Sequence, residues 1–137
     1  MNYVNTFIAV AADTKVETGM VPPSREGKKS VAQLEYELIA AKPYQLTQED
    51  VQFAVYVQRT GLSNQEVTAN RSALWAEFFS KSMACMRASP LPKSYGWGLH
   101  FDADGKVALI GVETEKYARL VNDPTLEHTA AMRSKRS

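Results

Sequence analysis

Hydrophobic and polar residues alternate most clearly in two segments of the chain, and both patterns predict β-strands. In the segment Tyr3–Val10 both alternating sets are largely apolar, which is typical of a strand in the middle of a sheet. Between residues 97 and 111, two short apolar runs, WGLHF and VALIG, flank the turn sequence DADGK. Two such runs separated by a glycine-containing turn predict a β-hairpin.

The register of this hairpin follows from the faces that its apolar residues occupy. A three-residue loop with Gly105 in the left-handed conformation pairs Asp102 with Lys106 and gathers the large apolar side chains on one face. A two-residue Asp104-Gly105 turn would scatter the same side chains over both faces. We therefore predict the three-residue loop. The predicted core face consists of Trp97, Leu99, Phe101, Val107, Leu109 and Gly111.

Four segments combine helical apolar spacing with capping residues. Ser30 and Ser63 begin capping boxes, and Thr47 and Thr114 stand at two further helix starts. The segment that follows Thr47 is ambiguous, because its apolar residues also alternate as in a strand. The cap at its start and Gly61 at its end favour a helix.

These elements predict one α+β domain that spans residues 1–137. We expect an antiparallel sheet of about four strands, formed by Tyr3–Val10, a strand near Met83–Ala88 and the hairpin 95–111, with three or four helices packed mainly on one face. Residues 131–137 are expected to form a frayed basic tail. The predicted core comprises Phe7, Leu34, Leu38, Phe78, Trp97, Leu99, Phe101, Leu109 and Leu120.

The composition is that of an ordinary globular domain. Of the 137 residues, 45% are hydrophobic and 23% are charged, and the formal net charge is +1. This charge gives no general attraction to nucleic acid or to a membrane, and no apolar run approaches the ~18 residues of a membrane span. The single cysteine excludes an internal disulfide. Because no secretory signal is visible, we expect a cytoplasmic protein.

Basic residues cluster before the first predicted helix and again before the hairpin. Arg25, Lys28 and Lys29 precede the helix start, where free backbone N–H groups and the helix dipole favour an anion. Arg87 and Lys93 would complete a phosphate or carboxylate site if their segment folds nearby. The main functional hypothesis is therefore a binding domain for a small anionic ligand, or an interaction module. A solvated basic loop would have the same sequence.

Cys85, His100 and Asp102 suggest an alternative, enzymatic function. A catalytic thiol needs a lowered pKa and a nearby base that a third group orients, and the hairpin places His100 and Asp102 on one face. The neighbours of Cys85 are largely apolar, however, and free cysteine is among the most buried residue types. Neither a metal site nor a cofactor is predicted, because the histidines and aspartates lack a recognisable ligand spacing.

Nucleic acid fits the pattern poorly as a partner. The aromatic residues Tyr95, Trp97 and Phe101 have basic neighbours, as in a stacking platform. The hairpin register, however, places Trp97 and Phe101 on the same face as its aliphatic side chains, which is the arrangement of a core. A third hypothesis is a surface for homo-oligomerisation or for a partner protein, with no small ligand.

Several longer blocks resemble one family of short bacterial proteins. These blocks are NTFIAVA, VPPSREGKKSVAQLEYELI, PYQLTQEDVQFAVYVQR and CMRASPLPKSYGWGLHFDADGKVAL. The resemblance extends from about Asn2 to Leu120 and implies a single-domain bacterial protein of unknown function. It implies no activity, cofactor or catalytic residue.

Overall fold

The computed structural model describes residues 2–23, 27–81 and 84–133, which form an α+β fold. The strands are β1 (Thr6–Ala9), β2 (Trp97–Phe101), β3 (Val107–Gly111) and β4 (Glu127–Ala130). The helices are α1 (Val31–Ala41), α2 (Gln48–Thr60), α3 (Asn64–Phe79), α4 (Pro90–Ser94) and α5 (Glu115–Val121). Within these residues, no helix is both long enough and apolar enough to cross a membrane.

The four strands form a mixed sheet in the order β3-β2-β1-β4. β1 is antiparallel to β2 but parallel to β4, because the chain crosses back after α5 and then runs along β1 in the same direction. The prediction of a purely antiparallel sheet was therefore wrong. The fourth strand is Glu127–Ala130, which the sequence pattern did not indicate.

The predicted strand near Met83–Ala88 is absent from the described residues of that segment. Met86–Ala88 instead forms one 3₁₀ turn, in which the N–H of Ala88 donates to the carbonyl of Cys85 at 3.0 Å. Pro90 then begins α4 at a position where its missing N–H costs nothing. Met83 lies outside the described residues.

The hairpin has the predicted register. Trp97 pairs with Gly111 and Phe101 with Val107, and the N–H of Asp102 donates to the carbonyl of Lys106 at 2.9 Å. Gly105 has a φ of +76°, which a three-residue loop requires of its last residue. The prediction of the loop is confirmed, and the core face of the hairpin follows from it.

The ambiguous segment after Thr47 is a helix. A complete capping box at Thr47 begins α2, and Gly61 ends it with a φ of +72°. Its apolar residues alternate because α2 is covered on two sides: Val51 and Val55 belong to the core shared with α1, whereas Phe53 packs against the aromatic side chains of α3.

The sheet separates two apolar clusters. The larger cluster lies on the side of α1, α2 and α4, and the smaller one lies on the side of α5, so the helices pack mainly but not solely on one face. The larger cluster includes Ile8, Leu34, Ile39, Val51, Leu91, Leu99, Phe101 and Val107. The smaller cluster consists of Phe7, Ala108, Ile110 and Leu120. Among the predicted core residues, Leu38, Trp97 and Leu109 are half-buried against the larger cluster, and Phe78 is half-buried on α3.

The chain remains anchored just after β4. The N–H of Ala131 donates to the carbonyl of Ala9, and that of Met132 donates to the carbonyl of Arg87, both at 2.9 Å. The remainder of the predicted tail, residues 134–137, lies outside the described residues.

Candidate functional site

A cavity of about 490 Å³ lies between α1, α2, the end of α3 and the segment 84–90. Most of its wall is apolar, and α2 and the segment 84–90 supply most of the lining residues. The apolar lining includes Val31, Val55, Phe78, Met86 and Pro90. The ionisable side chains that line it are those of Glu35, Tyr56, Arg59 and Cys85.

Glu35 is the buried ionisable group of this cavity. It lies on α1 in the row Val31, Glu35, Ile39, whose four-residue spacing turns it towards the apolar interior. The residue is only 6% exposed, and Oε1 accepts a hydrogen bond from the Ser89 hydroxyl at 2.7 Å. Burial raises the pKa of Glu35 to about 7, although the Ser89 hydrogen bond opposes this shift. Near neutral pH the carboxyl is therefore divided between its two protonation states.

Ser89 is held in place by the start of α4. As the N-cap residue of that helix, its Oγ accepts from the N–H of Leu91 at 3.2 Å while donating to Glu35. Two glutamines of α2 fix the preceding residues: Gln48 accepts from the N–H of Met86, and Gln52 donates to the carbonyl of Ala84, both at 2.7 Å. Specific hydrogen bonds thus hold the segment 84–90, which forms one side of the cavity, in position.

Aromatic and basic side chains complete the rest of the cavity lining. Phe78 of α3 stacks on Tyr56 of α2, with 4.6 Å between the ring centroids. Arg59 lies in the last turn of α2 and is exposed, so its charge is in contact with water. This arrangement provides an apolar interior with one buried carboxyl and one solvated cation.

Cys85 lines this cavity and also a second cavity of about 400 Å³, which Tyr3 and Lys81 line as well. The thiol is half-buried. Burial raises the pKa of Tyr3 to about 12, and a hydrogen bond between Tyr3 and Cys85 adds to this effect. The thiol therefore lies beside a phenol that keeps its proton at neutral pH.

The structure does not bring Cys85 and His100 together. Cys85 lies on the larger-cluster side of the sheet, whereas His100 lies on the side of α5, where its Nδ1 is 2.8 Å from the Tyr44 hydroxyl. Asp102 Oδ1 accepts from the N–H groups of Asp104 and Lys106 and so stabilises the hairpin loop. Among the described residues, no group of three histidine, cysteine or acidic side chains is placed to hold a metal ion.

The predicted anion-binding residues differ in their exposure and in their partners. Lys28 is exposed, and Nζ of Lys29 donates to both carboxylate oxygens of Glu37, at 2.7 and 2.8 Å. Nε of Arg87 donates to the carbonyl of Ala130 at 2.6 Å, and Lys93 is half-buried in the last turn of α4. Arg25 lies outside the described residues. Lys29 and Arg87 are thus already engaged within the protein.

The cavity residues Glu35, Arg59 and Ser89 were not identified from the sequence. A signal for Glu35 was present, because a charged residue interrupts the apolar row between Val31 and Ile39 at helical spacing. Arg59 and Ser89 carry no such signal, since each becomes part of the site only through the packing of α2 against the segment 84–90.

Comparison with known proteins identifies a family but no function. Neither the curated proteins nor the solved structures compared with the chain gave a match. The resemblance to a family of unknown function is confirmed by a family-model match that covers residues 1–137. The chain therefore belongs, over its whole length, to the family of unknown function DUF6157.

Proposed function

We propose that this protein is a binding domain for a small molecule with a mainly apolar body, held in the Glu35 cavity between α1, α2 and the segment 84–90. The observation that carries this proposal is a cavity of about 490 Å³ whose apolar wall contains one buried carboxyl. Small-molecule sites generally have volumes of ~300–1,000 Å³, apolar walls and a few polar groups that orient the ligand. The Glu35 cavity fits this description.

The proposal keeps the ligand-binding class expected from the sequence but gives it another site. Small-anion binding by Lys28, Lys29 and the other basic residues stays a prediction. The cavity is the better candidate because Lys29 and Arg87 already have partners, whereas the cavity has space for a ligand. The enzymatic alternative gains no support from a geometry that separates Cys85 from His100.

The experiment is a titration with 1-octanol, a neutral apolar probe, followed by two-dimensional NMR of backbone amides. We expect saturable shifts at residues that line the cavity. Val55→Phe should abolish them, because the larger side chain occupies the cavity. Val121→Phe on the exposed surface of α5 is the matched control and should bind as the wild type does. Unchanged binding by a folded Val55→Phe variant would overturn the proposal.

A further inference from the structure

We propose that the ligand of the Glu35 cavity is an organic cation, a primary or secondary amine on an apolar body, whose ammonium group pairs with the Glu35 carboxylate. This inference rests on the proposed function and names its ligand class. It starts from the position of a single carboxyl group that the fold buries beside an apolar space.

The Glu35 carboxyl has no cationic partner in the described part of the chain. Its hydrogen-bond partner is the neutral hydroxyl of Ser89, whereas Lys29 pairs with Glu37 and Arg119 pairs with Glu115. A buried carboxylate without a countercharge is strongly unfavourable. An ammonium group in the cavity would supply that missing countercharge and also hydrogen-bond donors.

The other ionisable groups that face the cavity do not reverse this preference. Arg59 is cationic, but it is exposed, so water and salt screen its repulsion of a second cation. Tyr56 and Cys85 line the cavity as well, and a phenol and a thiol bring no positive charge that would repel a cation. An anionic ligand beside Glu35 would meet either a like charge or a carboxyl that must keep its proton.

Binding of an amine is expected to release a proton. The pKa of Glu35 in the protein is about 7, and a neighbouring ammonium group would lower it. The affinity for an amine should therefore rise as the pH increases through this range, because less proton release is needed. The affinity for a neutral alcohol of the same chain length should not rise in this way.

The test compares octylammonium, 1-octanol and octanoate by isothermal titration calorimetry on the wild type, Glu35→Gln and Glu37→Gln. At pH ~7.5 we expect octylammonium to bind at least about tenfold more tightly than 1-octanol, which is the effect of one charge-assisted hydrogen bond. Glu35→Gln should remove this difference between the two ligands. Glu37→Gln, the same change outside the cavity on α1, should behave as the wild type does.

The outcomes distinguish a wrong ligand class from a wrong assignment of the cavity as a binding site. If 1-octanol binds and octylammonium binds no more tightly, or if octanoate binds most tightly, the organic-cation proposal is wrong while the binding cavity stands. If none of the three probes binds, the proposed function fails as well. Should Glu35→Gln not fold, the wild type alone decides: the octylammonium-to-octanol affinity ratio must increase between about pH 5.5 and 8.

Discussion

The two faces of the sheet treat their ionisable groups differently. On the side of α1, Glu35 is buried with one hydroxyl partner and borders an unfilled cavity. On the side of α5, the Tyr44 hydroxyl lies against Nδ1 of His100 and accepts from Nζ of Lys116 at 2.9 Å. One face leaves a polar group beside an open space, and the other connects its polar groups in a chain.

Space is also distributed unequally between the two faces. A Cβ atom added at Gly98, on the α5 side, would lie only 2.7 Å from the Phe7 ring and 2.8 Å from the Tyr117 ring. The space above Gly98 on this side of the sheet is therefore filled by aromatic side chains. A ligand is therefore expected on the Glu35 side of the sheet, where the fold leaves both space and an incompletely paired charge.

The largest expected effect is a pH-dependent loss of stability that arises from Glu35 on the α1 side of the sheet. Glu35 has a pKa of 4.5 in the unfolded state, so the folded state binds its proton more tightly. The contribution of Glu35 to stability is complete below pH 4.5 and is lost as the pH rises through about 7. Between about pH 5 and 8 the wild type should lose roughly 2–3 kcal/mol of unfolding free energy relative to Glu35→Gln. Urea denaturation across this range measures the difference, with Glu37→Gln as the control. Parallel pH profiles for the wild type and Glu35→Gln would contradict the prediction.

A smaller effect on stability is expected from adding a methyl group on the α5 side of the sheet, where the side chains leave no free space. Gly98→Ala should lower the free energy of unfolding by about 1–3 kcal/mol, because Phe7 and Tyr117 must move to admit the new methyl group. Thermal and urea denaturation measure the loss. A fully stable variant would show that this packing yields more easily than the distances indicate.

The hydrogen bonds that join His100, Tyr44 and Lys116 on the α5 side should contribute still less to the free energy of unfolding. Tyr44→Phe removes the hydroxyl shared by His100 and Lys116 and should cost about 1 kcal/mol. Tyr56→Phe is the control, since the Tyr56 hydroxyl has no hydrogen bond among the described residues. Equal losses of unfolding free energy in the two variants, measured by urea denaturation, would show that the hydrogen bonds of Tyr44 make no particular contribution to stability.

On the α5 side, the effect of pH on stability should be opposite in sign to the effect expected from Glu35. Burial and the charge of Lys116 lower the pKa of His100, so the folded state favours the neutral imidazole. Its contribution to stability is complete above the ordinary pKa of 6.5 and is lost as the pH falls. A His100→Gln variant should accordingly lose less stability than the wild type on mild acidification, which denaturation at about pH 5 and 7.5 measures.

The smallest expected effect is that of filling the cavity. Enlarging a buried side chain usually costs about 1–3 kcal/mol, but Val55→Phe should cost less than about 1 kcal/mol because the added atoms enter existing space. The melting temperature compared with that of Gly98→Ala checks this. A cost for Val55→Phe as large as that of Gly98→Ala would mean that the cavity is closed in solution.

The fold was predictable where a local signal specifies the geometry. Gly105 and the segregation of apolar residues determined the hairpin register, and Ser30, Thr47, Ser63 and Thr114 marked four helix starts. β4 was missed because EHTA is short, polar and flanked by loop residues, so only its pairing with β1 makes it a strand. Parallel pairing of distant segments leaves no local trace in a sequence.

The candidate site was less predictable than the fold, because it arises from packing. The spacing of Glu35 between Val31 and Ile39 already indicated a buried charge on α1. The cavity beside it depends on how far α2 and the segment 84–90 stand from α1, and no residue pattern records such a distance. Cys85 and His100 lie on opposite sides of the sheet, and no local pattern in the sequence indicates such a separation.

The position of β1 in the sheet has a consequence for how the protein folds. This strand is the first element of the chain, yet both of its neighbours, β2 and β4, come from the last third. The sheet therefore cannot close during synthesis until the segment Glu127–Ala130 has left the ribosome, and α1 is made before β3, the strand on which it packs. Such dependence on distant pairing slows folding, and it makes a chain truncated before β4 a candidate for aggregation through the exposed edge of β1.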